Sequence, residues 1–135
     1  MFFVVRKSRI ILALLLVFTL LSAIYFASAS KDKSQSICTD FLSNLGYTFD
    51  KKPEEISEIK IPEGFGNVYT EYNRLQEAAG FDLTPLRGKT VTRYTFRLKG
   101  CEFPLANILV SDGKICGGDI MDPSLSGKMI PLLPK

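Results

Sequence analysis

From Ile10 to Ser30 the chain carries no charged side chain, and the three basic residues Arg6, Lys7 and Arg9 stand just before that run. An apolar helix of that length spans about 30 Å, the thickness of a bilayer's hydrocarbon core, and the basic cluster favours the cytoplasmic side for its N-terminal end. The pattern therefore predicts a membrane segment within residues 1–30, crossing the bilayer through residues 10–30, with everything after it outside the cytoplasm. Ala27-Ser28-Ala29 has the small-x-small spacing that signal peptidase reads, and cleavage there would make the protein secreted, starting at Ser30. The apolar run is longer than the about 7–15 residues of a cleaved signal, which favours a retained single-pass anchor in the cell membrane.

Residues 31–35 are polar and predict a short tether, and residues 36–135 form the extracytoplasmic domain. Ile37, Phe41, Leu42 and Leu45 follow helical spacing, with Ser36 as N-cap and Gly46 as the left-handed stop, so a first short helix is expected there. Tyr47 to Phe49 and the Ile56, Ile59, Ile61 series suggest two short, edge-like extended pieces broken by Lys51-Lys52-Pro53. In the next segment Val68, Tyr72, Leu75 and Ala79 recur on one face of a helix capped by Asn67 and stopped by Gly80. The period then changes to two. Lys89 to Leu98 alternates as a strand with one face in the core; Leu105 to Ser111 is an apolar strand; Asp112-Gly113 is a tight hairpin turn; and Lys114 to Met121 returns as its partner. Counting out from that turn, Val110 should face Ile115 and Leu109 should face Cys116. Gly117-Gly118 marks a bulge or a close approach of another backbone, and Ser124 to Leu133 a turn with a short terminal extended piece. The expected fold class is α+β, with two helices on a three- to four-stranded antiparallel sheet.

Charge and chemistry narrow the picture mainly by exclusion. The chain has 17 basic and 14 acidic residues, but once Arg6, Lys7 and Arg9 are set aside the remainder balances, 14 against 14. A domain with no net charge lacks the electrostatic basis for nucleic-acid binding, so no nucleic-acid partner is expected. There is no histidine, which excludes Ser-His-Asp and Cys-His nucleophile systems and histidine zinc sites. Three cysteines allow at most one bridge within the chain, and Cys101 with Cys116 is the candidate pair; three unpaired, buried thiols are the alternative. Asp119, Asp82 and Glu102 could in principle converge as an acid/base set. Aromatic residues are frequent, and Tyr72, Asn73, Gln76, Arg93 and Tyr94, with Tyr69 beside them, make a candidate binding patch for a peptide, a glycan or an envelope protein. No catalytic, cofactor-binding or metal-ligating set is assigned, and no cofactor is implied.

The blocks Tyr72-Asn73-Arg74-Leu75-Gln76, Gly80-Phe81-Asp82-Leu83, Gly88-Lys89, Arg93-Tyr94-Thr95, Ala106-Asn107-Ile108-Leu109-Val110 and Gly117-Gly118-Asp119 together resemble an exported, membrane-anchored bacterial family of unknown function, DUF family 4830. The resemblance covers roughly Phe41 to Met129. Tyr47 stands where tryptophan is usual in that family and Leu86 where tyrosine is usual. The resemblance implies one N-terminal membrane segment and one external α+β domain, and it brings no activity or catalytic residues. The expectation is a membrane-tethered, non-enzymatic interaction or sensory module. A carboxylate-dependent hydrolase or ligand-binding enzyme at the cell envelope, and a structural part of an envelope assembly, are the alternatives.

Overall fold

The computed structural model describes residues 2–135; Met1, the side chains of residues 2–6 and that of Leu125 lie outside the described set, and with them the side chain of Arg6. The chain divides into two compact units, Met1–Lys33 and Ser34–Lys135. Helix α1 (Phe2–Asn44) begins in the first and ends in the second. Its charge-free stretch is apolar all round: Ile10, Ile11, Leu12 and Leu20 point to different sides of the helix and all are exposed. A helix without a polar face suits lipid, not a soluble core. It is long and apolar enough to cross a membrane, near the N-terminus where a signal sequence would also lie.

The tether expected at residues 31–35 is helical, and the short helix expected from Ser36 is the end of α1 and not a separate element. Nothing in Lys31-Asp32-Lys33-Ser34-Gln35 breaks a helix, since the stretch contains neither proline nor glycine. Gly46 does end it. At φ +89° its amide donates to Ser43 and the Tyr47 amide to Leu42, the paired bonds of a Schellman stop.

The second unit is α+β, with one further α-helix, α2 (Asn67–Ala78), and an antiparallel sheet of six strands. These are β1 (Thr48–Phe49), β2 (Glu55–Lys60), β3 (Thr90–Lys99), β4 (Leu105–Ser111), β5 (Lys114–Asp122) and β6 (Lys128–Pro131), in the order β1-β3-β4-β5-β6, with β2 also paired to β3. The sheet is larger than the three or four strands expected. Its extra members are the short pieces on its margins: β1 and β2 share one edge of β3, interrupted at Lys51-Lys52-Pro53, and β6 lines β5. Their membership comes from ladder bonds to long strands, which a local pattern of four or six residues does not encode.

Val110 faces Ile115 across the hairpin as the turn requires, but Leu109 faces Gly117 instead of Cys116. Cys116 is the extra residue of a β-bulge. Both faces of the sheet are covered, where one buried face was expected of β3. Tyr94, Phe96, Leu98 and Ile108 pack against Cys38 and Leu42 near the end of α1, and Val91 and Leu109 pack on the other face with Ile61 and Leu83. Helix α2 lies on that second face. Its N-cap is Gly66, without a side-chain cap bond, and Asn67 is its first helical residue instead of its cap. Its buried residues are Asn73 and Gln76, whereas Val68, at the head of the apolar series, is 81% exposed.

Candidate functional site

The site grows from one rung of the sheet. Thr95, Asn107 and Asp119 stand side by side on β3, β4 and β5, all pointing to the α2 face. Asn107 is the one polar side chain in the otherwise apolar run Leu105 to Val110, and its amide spans the rung: Oδ1 accepts from the Thr95 hydroxyl at 2.7 Å, and Nδ2 donates to Asp119 Oδ1 at 2.9 Å. From α2, the Tyr72 hydroxyl donates to Asp119 Oδ2 at 2.9 Å. All three rung residues are buried, so each polar group needs its partner within the protein.

Gly117 lets α2 come close enough for this, because a Cβ there would stand 2.9 Å from Gln76 Oε1. Gly118 is needed on the opposite face of β5, where a Cβ would stand 2.6 Å from the Leu132 side chain and 2.7 Å from the Asn107 carbonyl oxygen. Its amide donates to Gln76 Oε1 at 2.8 Å, which ties the helix to the bulged strand. One turn before Gln76 on α2, Asn73 accepts from the Leu83 amide at 2.7 Å and donates to Asp82 at 3.0 Å. Asn73 and Gln76 therefore fix the helix in place, one against the connector that follows α2 and the other against β5. Tyr72 lies on the same side as Gln76 and reaches down to Asp119, while Val68 and Leu75 line an open cleft beside it.

That cleft, of about 470 Å³, lies between α2 and the sheet, with Arg93, Asn107 and Asp119 among the residues that line it and Val68, Tyr69, Tyr72, Leu75 and Met129 supplying apolar wall. Of the candidate patch, Tyr72 and Arg93 line the cleft; Asn73 and Gln76 are buried structural residues beside it. Tyr94 is separated from them, on the opposite face of the sheet at 3% exposure, because neighbouring strand residues point to opposite sides. Asp119, Asp82 and Glu102 do not converge. Asp82 is exposed and bonds Asn73 and the Thr84 amide, Glu102 is exposed in the turn after β3, and Asp119 alone lies in the cleft. The candidate pair Cys101–Cys116 is also divided: Cys101 packs with the α1 side of the sheet and Cys116 with the α2 side, and all three cysteines are free. Burial pushes the Cys116 thiol up to about 11, far from the range of an activated nucleophile.

Burial also raises the Asp119 carboxyl above its ordinary range, against the opposing pull of Asn107, Tyr72 and the nearby Arg93 guanidinium. Burial first, and then Asp119, likewise hold the Tyr72 hydroxyl protonated well beyond the usual phenol range. The sign of the first shift is testable. A carboxyl whose folded proton affinity exceeds its unfolded value of about 3.9 contributes stability below that pH, and the contribution is lost as pH rises through the raised folded value. Asp119→Asn removes this titration. Thermal unfolding of both proteins from acid to neutral pH should show the variant gaining on the wild type as pH rises; a constant offset, or one moving the other way, would contradict the assignment.

Asn107 and Thr95 were not among the residues singled out by sequence reasoning. The available signal was the lone amide within a buried, otherwise apolar strand. Comparisons with family models, with curated proteins and with solved structures find no match to this chain.

Proposed function

We propose that this chain is a membrane-tethered binding or sensory module of the DUF family 4830 type, anchored by α1 with Ser34–Lys135 on the outer side, and that the cleft under α2 is its ligand seat. The observation that carries this reading is the open cleft between α2 and the sheet. Val68, the head of the apolar series of α2, is 81% exposed, and with Leu75 and the half-buried Tyr72 it lines this cleft above a buried polar rung. Apolar walls with a few convergent polar groups are the usual make-up of a small-molecule site.

The seat is tested by ligand-observed NMR with a fragment library on the full-length chain in nanodiscs. Fragments that bind the wild type are expected to lose at least about tenfold in affinity to Val68→Asp, which places a charge on the apolar lip at an exposed position where folding is not at stake. Hits that bind both proteins equally would remove the cleft from consideration. Outward orientation is read separately, in intact cells: a membrane-impermeant maleimide should label Cys101, the half-exposed thiol on the far side of the sheet. Labelling only after lysis would reverse the topology.

A further inference from the structure

We infer that the cleft takes a small amphiphile with a single carboxylate, an aryl- or alkyl-chain acid whose head is held at Arg93; this rests on the cleft being the ligand seat. The hydrogen-bond inventory of the floor decides the head group. Asp119 is 1% exposed, and each of its oxygens already accepts a bond, one from Tyr72 and one from Asn107. The Tyr72 proton is thereby engaged, and Asn107 gives its carbonyl to Thr95. What remains unspent is donor capacity. Arg93 Nε is buried without a hydrogen-bond partner among the described residues; the Ser57 hydroxyl, which is not a lining residue but stands opposite Arg93 in the β2–β3 ladder, is likewise without one.

The carboxylate nearest Arg93 does not fill that role. Glu55 reaches a terminal guanidinium nitrogen only at 3.5 Å, and its side chain is 58% exposed against 32% for Arg93, so it can swing into solvent when another anion arrives. A guanidinium offers parallel N–H groups at the spacing of two carboxylate oxygens, which makes the carboxylate its best-matched small partner. Arg93 is the one cationic side chain among the described lining residues, and Glu71 and Asp119 line the same cleft, so an anion of a single charge is admitted more readily than a phosphate. A cationic head placed at Arg93 would meet a like charge, and a hydrocarbon would leave its Nε unpaired.

The body of the ligand follows from the walls. Val68, Tyr69, Leu75, Leu109 and Met129 offer apolar and aromatic contact to a chain or ring, within a volume typical of small-molecule sites. A peptide strand is disfavoured, because the seat lies over the face of the sheet, where backbone groups are already spent in the ladder.

The test uses the full-length chain in phosphatidylcholine nanodiscs and three fluorinated probes of one length: para-fluorophenylbutanoate, the corresponding alcohol and the corresponding primary amine, followed by fluorine NMR. The acid should bind about tenfold more tightly than the alcohol, the usual margin for one hydrogen-bonded charge, and the amine no better than the alcohol. Arg93→Gln should erase the preference for the acid while alcohol binding persists. Ser57→Ala should reduce it in part, which keeps the test open should Arg93→Gln fold poorly. Equal affinity for acid and alcohol, or tightest binding of the amine, would overturn the carboxylate assignment and leave the seat standing. Failure of Val68→Asp to weaken either acid or alcohol would overturn the seat itself.

Discussion

Gly118→Ala is expected to destabilise the Ser34–Lys135 unit by about 3 kcal/mol, the upper part of the range for overpacking a closed interior. The added methyl meets the Leu132 side chain at 2.6 Å and the Asn107 carbonyl oxygen at 2.7 Å. The leucine could rotate, but the carbonyl belongs to the neighbouring strand and cannot move without opening the β4–β5 ladder. For a domain of this size the loss corresponds to about 12–24 °C in melting temperature. Gly113→Ala, at a φ of +71° in an exposed hairpin turn with no neighbour within 4 Å of the new methyl, is the comparison: it carries backbone strain but no clash, and should cost about 1 kcal/mol. Thermal melts of both variants by circular dichroism check this; a Gly118→Ala protein no less stable than Gly113→Ala would show that the strand spacing here is looser than described.

Asn107→Ala comes next in size. It strips Asp119 Oδ1 and the Thr95 hydroxyl of their partners together, and each buried polar group left unsatisfied costs about 1–3 kcal/mol, so a loss of about 3–4 kcal/mol is expected in urea unfolding. The same reasoning predicts the rescue. Thr95→Val, Asn107→Leu and Asp119→Leu combined replace donors and acceptors at once, and more than half of the loss should return. If the triple variant is less stable than Asn107→Ala, the rung contributes more through its hydrogen bonds than through the avoidance of orphaned groups.

Much of the scaffold was legible along the chain because it rests on strong local periodicity. The helix ending at Gly80, the Leu105 to Ser111 strand and the Asp112-Gly113 turn all follow from residues within a few positions of one another. Harder to read were the features decided at a distance. The series Val68, Tyr72 and Leu75 does mark one side of a helix, yet no local pattern says whether that side meets a core or a cleft. Here the bonds of Gln76 with Gly118 and of Asn73 with Leu83 set the helix's rotation, which leaves Val68 exposed at the cleft while Tyr72, on the same side as Gln76, reaches Asp119. The Cys116 bulge was equally hidden, since counting pairs from a turn assumes an unbroken ladder. Tyr94 was grouped with Arg93 as a neighbour in sequence, but alternation along β3 sends the two to different sides. Arg93 and Tyr72 were legible as an exposed aromatic and cation near one another; the acid beneath them needed the sheet register to be known.

The three members of the rung come from strands twelve residues apart in each step, and the tyrosine above them lies 47 residues from the acid it touches. No fragment of the domain contains them all in contact. A slip of one residue in β4 would send Asn107 to the other face of the sheet and leave Thr95 without its acceptor, and the same slip in β5 would take the acid from the tyrosine. Whatever occupies this seat thus rewards only the fully assembled arrangement, and its presence would act as a proofreader of strand alignment, holding the population in the one pairing that can receive it.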